Sequence, residues 1–220
     1  MKRCVSERKM LTESLSDKKA KYRRKHLPCI RRPAIISIVK NTKSALLVNP
    51  WITDFAAYDF WIRPAALLLI ASLLERNGIG VSLIDCLDRT DPSQHEFKDA
   101  RPDGTGRFMK THLPSPKQLD FVPRKFGRYG ISVESFIERL ESCEKPGVVL
   151  VSSSMTYWYP GVFEAVRLLK SAWPDVPVVL GGRYATLCRE HAENYSGADV
   201  VFTGPFENGG CELVCRMLGI

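Results

Sequence analysis

Short apolar runs alternating with helix-period segments constrain this chain more than any other feature. Ala45-Leu46-Leu47-Val48-Asn49 reads as a buried strand bounded by Lys43 and Pro50. Pro64 opens a helical pattern that runs through Leu74 and Glu75 and stops at Asn77-Gly78, with proline first and glycine last. Further strands are expected at 79–84, 148–151, 176–180 and 199–202. Helices are expected at 133–143, at 161–173 with Val162, Val166, Leu169 and Trp173 at helical spacing, and at 183–195 and 210–218. Strand–helix–strand crossovers are right-handed and join parallel strands. Five such alternations predict an α/β fold: a doubly wound, flavodoxin-like (Rossmann-type) five-stranded parallel sheet in the order 2-1-3-4-5.

Charge separates the chain into two parts. Residues 1 to 32 carry twelve Lys/Arg against three Asp/Glu, so the net +8 belongs to an N-terminal tail and the rest is close to neutral. Residues 1–43 therefore read as a basic, solvated extension with too little apolar content to fold. Clustered cations such as Lys18-Lys19-Ala20-Lys21-Tyr22-Arg23-Arg24-Lys25 attract phosphates, but the solvated reading is preferred to a nucleic-acid partner. The longest apolar segment, 65–74, is too short for the roughly 20 residues a membrane span needs, and with no apolar stretch before a small-residue cleavage site a secretory signal is not expected. A cytoplasmic protein is expected. Seven scattered cysteines argue for reduced thiols rather than a disulfide framework.

Residues 86–131 interrupt the alternation with polar, Gly- and Pro-rich sequence. A loop of this length after the second strand overhangs the strand tips, and its Phe108, Phe121, Arg124, Phe126, Arg128 and Tyr129 suggest a lid more than a linker.

In such sheets ligands bind beyond the carboxyl ends of the strands. The candidates there are Ser152, Ser153, Ser154, Met155, Thr156 and Tyr157 after the third strand, Gly181, Gly182, Arg183 and Tyr184 after the fourth, and Gly204 after the fifth. Hydroxyls and amides at a strand end suit phosphate, amide or ring-edge contacts, and capping of the next helix explains them equally well. Gly181-Gly182 permits close approach of a ligand or a tight turn of positive φ. Asn49 and Pro50 end the first strand, and Asp85 ends the second, where an acid can receive ribose hydroxyls. Among the aromatics that follow Asn49, Phe55, Phe60 and Trp61 are as readily core as site, while Trp51 and Tyr58 read as exposed surfaces for a flat cofactor or a neighbouring domain.

These residues, Leu46-Leu47-Val48-Asn49-Pro50, Val81-Ser82-Leu83-Ile84-Asp85, Ser153-Ser154-Met155-Thr156 with Tyr159-Pro160, Val176 to Gly182, Ala185-Thr186 and Asp199-Val200-Val201, resemble the N-terminal cobalamin-binding-type domain of radical SAM proteins over residues 44–220. The resemblance implies a corrinoid, cobalamin, held against the strand tips. It also implies a separate barrel carrying an iron-sulfur cluster and S-adenosylmethionine. None of His26, His95, His112 or His191 stands in an Asp-x-His-x-x-Gly context, so no histidine is assigned below the cobalt. The spacing Cys211-x-x-x-Cys215 is half of a CxxxCxxC cluster motif, with Leu218 where the third cysteine would fall, and the pair reads as packing residues. His191 reads as a helix-surface residue. The chain ends at Ile220 where the barrel would begin, so a truncated or split protein without catalysis of its own is expected. The rival expectation is an interaction module that has lost the corrinoid and docks partners through Trp51 and Tyr58. No GxGxxG follows the first strand, which argues against a nicotinamide dinucleotide site. No histidine is placed in the sequence to activate Ser153 or Ser154 for hydrolysis.

Overall fold

The computed structural model describes residues 43–60, 63–94, 101 and 103–220, all within one unit, Lys40–Ile220. The basic extension, with His26, and also Trp61 and His95 lie outside the described residues.

Five parallel strands form the main sheet: β1 (Ser44–Asn49), β4 (Gly80–Asp85), β8 (Val148–Val151), β9 (Val178–Leu180) and β10 (Val200–Val201). Their order is β10-β9-β8-β1-β4, which is the expected 2-1-3-4-5 read from the other edge. Alternation along β1 sorts the core into two layers, because successive side chains of a strand point to opposite faces. Leu46 and Val48 join Phe136 and Leu140 of α2 (Val133–Ser142) and Val162, Val166 and Leu169 of α3 (Tyr159–Ala172). Ala45 and Leu47 join Leu67 and Leu74 of α1 (Ala65–Arg76) and Val214 of α6 (Gly210–Met217). Each fully buried Leu or Val side chain contributes about 1.5–3 kcal/mol by leaving water, so this two-sided burial is the main force that holds the sheet.

Helix ends follow the local chemistry. The Ser132 hydroxyl accepts the Ser135 amide at 3.0 Å to cap α2, and a proline in the first turn of α3 needs no amide partner there. The segment expected as one helix over 183–195 is two, α4 (Arg183–Leu187) and α5 (Arg189–Tyr195). Cys188 leaves helical geometry at φ −125° and packs onto the core at the break. Cys211 and Cys215 pack against the α1/α6 layer. Among the described residues no helix is long and apolar enough to cross a membrane.

The insertion differs from the expected loop. Residues after β1 form β2 (Ile52–Asp54) and β3 (Tyr58–Asp59), which pair with pieces of the insertion, β5 (Gly106–Arg107), β6 (Lys110–His112) and β7 (Gly127–Tyr129). The result is an antiparallel sheet β2-β7-β6 and a ribbon β3-β5. Ile52, Leu87, Phe108 and Tyr129 form its own small core. Composition hid this because the strands are two or three residues long, too short for a period-2 pattern to register. An ionic clasp fastens the start of the insertion to α2: Asp91, 2% exposed, accepts from Ser135 Oγ at 2.6 Å and from Arg139 Nη2 at 2.6 Å, and Arg139 also reaches Asp88 at 2.8 Å.

Trp51 corrects the sequence reading. It is 1% exposed, its ring centroid lies 4.8 Å from that of Phe136, and its indole N–H donates to the Ile131 carbonyl at 2.7 Å. The two-residue step from β1 to β2 turns the ring inward, where it joins the small sheet to the main core. Tyr58 is half-buried, its ring tilted against that of Phe60 with centroids 4.7 Å apart and the Arg101 guanidinium 5.9 Å from its own centroid. Among the described aromatics of this region, Phe60 and Phe121 are exposed.

Candidate functional site

The strand tips meet at the topological switch point, where α1 leaves β1 for one face and α3 leaves β8 for the other. Asn49 and Ser152 sit on either side of it. Asn49 Nδ2 donates to Asp85 Oδ1 at 2.7 Å, and the Ser152 hydroxyl donates to Asn49 Oδ1 at 3.3 Å. Asp85 Oδ1 also accepts the Leu87 amide at 2.9 Å. Three adjacent tips are thereby joined in one polar row. Burial raises the Asp85 pKa, outweighing the Asn49 and Leu87 hydrogen bonds that favour its ionised form.

Next to this row the hydroxyl-rich segment divides by role. Ser153 is buried; its Oγ donates to the Gly181 carbonyl at 2.6 Å, and its carbonyl accepts the Arg183 amide at 2.8 Å. Gly182 has φ +96°, and a Cβ there would stand 2.4 Å from the Ser153 carbonyl oxygen, so only glycine completes the turn. Tyr184 is also buried, with its hydroxyl 2.7 Å from His191 Nδ1 and its pKa raised to about 12 by burial. Ser153 and Tyr184 thus shape the tips rather than present themselves, while Gly182 both makes the turn and stays exposed. Ser154, Tyr157, Gly182, Arg183 and Gly204 are exposed, while Met155, Thr156 and Gly181 are half-buried. Arg183 Nη1 lies 3.9 Å from the Met155 sulfur. The Gly204 amide donates to Thr186 Oγ1 at 3.1 Å, which ties the β10 tip to α4.

On the α1/α6 face these tips open into a cleft of about 270 Å³, lined by Ser152, Gly181, Gly182 and Gly204, by Ala66, Leu69 and Ile70 of α1, by Phe202, Pro205, Phe206 and Glu207 of the loop after β10, and by Leu213 of α6. Its walls are apolar; Ser152 and Glu207 are the polar side chains among them. Among the described residues, none from 86–131 lines this cleft. The insertion instead braces the tips through Trp51 and Thr53, whose Oγ1 donates to the Trp158 carbonyl at 3.4 Å. Asn49, Pro50 and Trp51 border only a minor crevice on that side. Neither described histidine, His112 on β6 or His191 on α5, lines the cleft.

Sequence reasoning missed the α1 wall and, Gly204 apart, the 202–207 wall. A signal existed for α1: Ala65 to Ile70 is apolar on every side, more than one buried face requires. Leu68 and Leu69 are accordingly left 51% and 63% exposed.

A family model described as B12 binding domain matches residues 126–214. That stretch runs from β7 into α6. It contains the tips of β8, β9 and β10 and one wall of the cleft, and it supports a cobalamin-binding type of function. No curated protein matches the chain.

Proposed function

We propose that residues 44–220 hold a corrinoid across the strand tips, as the cobalamin-binding domain of a radical SAM system whose iron-sulfur cluster and S-adenosylmethionine reside on a separate barrel. The observation that carries this reading is the coincidence of the B12-binding match with one continuous site at the switch point: the tips of β8, β9 and β10 and the apolar cleft beside them. The residues present fit such a ligand. A corrinoid is a broad ring edged with amide groups, and Ser152, Ser154 and Thr156 offer hydroxyls along a rim of that kind. At Gly204 a side chain's place is open, with no atom within 4 Å of a Cβ. Exposed Tyr157 supplies a flat apolar face beside them.

When bound, a corrinoid supplies a cobalt centre able to carry an alkyl group. The chain's contribution is to hold and orient it. Asn49, Asp85 and Ser152 provide a polar row at the switch point, and the Ser153–Gly182 turn keeps the β8 and β9 tips in register. With no Asp-x-His-x-x-Gly motif, binding in this reading relies on the ring and its appendages rather than on a protein nitrogen at the metal. The docking-module reading loses its main support, since Trp51 is buried.

The test is a titration of the full chain with hydroxocobalamin under reducing, oxygen-free conditions. Saturable conversion to the absorbance of the form without its intramolecular base supports the reading, and no binding by demonstrably folded protein rejects it. The radical SAM part has a separate check: a CxxxCxxC-bearing reading frame should adjoin the coding DNA or be continuous with it.

A further inference from the structure

We infer that β4, an edge of the main sheet, pairs antiparallel with β4 of a second copy of this chain, so that two sheets become one. The inference is independent of the corrinoid reading. In the ladder with β1, the Gly80 amide donates to the Lys43 carbonyl and the Cys86 amide to the Asn49 carbonyl, both at 2.9 Å. Even-numbered residues of β4 therefore turn their backbone groups toward β1, and Val81 and Leu83 turn theirs outward. Among the described residues nothing pairs with the outward N–H and C=O groups of Val81 and Leu83. Folded proteins guard such edges with charge, proline, bulges or shortness. The opposite edge, β10, is two residues long, and the β6 edge of the small sheet carries Lys110 and His112. Gly80-Val81-Ser82-Leu83-Ile84 has none of these guards.

Self-complementarity identifies the occupant. A two-fold axis at Ser82 sets Val81 opposite Leu83 of the second copy, and each outward donor then meets an outward acceptor. Ser82 faces its own counterpart across the axis, where antiparallel strands come closest, and its side chain is small enough to fit there. Charge favours the same orientation. The exposed cations Lys43 and Arg76 lie at the amino end of β4, and Asp85 and Asp88 at its carboxyl end. Antiparallel pairing brings opposite signs together, whereas parallel pairing sets like beside like. The apolar surface to be covered is also present. Ala66, Leu69 and Ile70 line the cleft on one side of α1, which leaves Leu68 on the side toward the β4 edge. Leu68 and Leu83 stand 51% and 38% exposed there.

The experiment is sedimentation velocity of the full chain between about 1 and 100 μM, the range in which a small interface associates. The expected result is a monomer–dimer equilibrium. Leu83→Lys, at an exposed position where a charge guards the edge without touching the β1 ladder, should weaken association at least about tenfold with unchanged circular dichroism. Ser82→Cys tests the register. Paired across the axis at a Cα separation of about 4.5 Å, the new thiols are within disulfide reach, so mild oxidation should cross-link this variant beyond the parent protein. Adding Leu83→Lys should remove the excess. A chain that stays monomeric to about 100 μM overturns the inference. A dimer that Leu83→Lys leaves intact and Ser82→Cys fails to cross-link overturns it as well, by placing the contact elsewhere. A monomer whose Val81 and Leu83 amides resist hydrogen exchange has this edge covered from within the chain, which also overturns the second copy. None of these outcomes bears on corrinoid binding.

Discussion

Gly182 lies against Ser153 so closely that a Cβ on the glycine would meet the serine's carbonyl oxygen at 2.4 Å and its amide nitrogen at 2.8 Å. That same carbonyl accepts the Arg183 amide, and the Ser153 hydroxyl holds the Gly181 carbonyl. Two neighbouring strand tips are thus interlocked by backbone. Gly182→Ala combines a positive φ with a backbone clash and should cost about 2–4 kcal/mol, measured as a lower urea midpoint at unchanged slope. It should also weaken hydroxocobalamin binding, since the β8 and β9 tips would part.

Trp51 joins the small antiparallel sheet to the main core. Trp51→Ala should lose about 3–5 kcal/mol. Trp51→Phe restores most of the ring but leaves the Ile131 carbonyl without the indole donor, for a loss of about 1–3 kcal/mol. Unfolding followed by circular dichroism separates the two. A negligible effect of the alanine variant would contradict the buried placement.

Asp91 predicts a defined acid dependence. Burial works against its charge, but hydrogen bonds from Ser135 and Ser93 and the Arg139 guanidinium prevail and hold its pKa at about 2. A depressed carboxylate contributes stability that is present above its ordinary value of 3.8 and lost as pH falls toward about 2. Asp91→Asn should therefore cost about 1–3 kcal/mol at pH 7. The gap from the parent protein should narrow between pH 4 and pH 2, as read from urea midpoints across that range.

Asp85 runs the other way. Its pKa is raised by burial, so its contribution is fully present below the ordinary carboxylate value of 3.8 and declines as pH rises through the higher folded value. Asp85→Asn keeps an oxygen to accept from Asn49 and Leu87. It should be neutral to slightly stabilising at pH 7, by up to about 1 kcal/mol, with the advantage shrinking toward pH 4. Midpoints that fall at pH 7 would show instead that the ionised carboxylate is favoured by the fold.

The architecture was legible from the chain because its signals are local. Strands such as Leu46-Leu47-Val48 and Val148-Val149-Leu150-Val151 are buried on both faces and read as continuous apolar runs. The Pro64 and Asn77-Gly78 boundaries of α1 depend on backbone chemistry within one turn. Order 2-1-3-4-5 followed as a common doubly wound arrangement of five alternating strand–helix units. The strand tips were legible for the same reason, since a tip is where a run ends. What only the tertiary structure decided are relationships between segments far apart in sequence. Trp51 became core because Phe136, Ile131 and Arg128, all 77 or more residues later, close around it. The insertion became sheet because its β7 and β5 found β2 and β3, which precede it in the chain. Tyr184 turned inward, and the cleft took its walls from α1 and the 202–207 loop, which no local pattern joins. Side-chain burial depends on what packs from elsewhere, so a residue's presence at the tips could be read from the chain, whereas its exposure to a ligand could not.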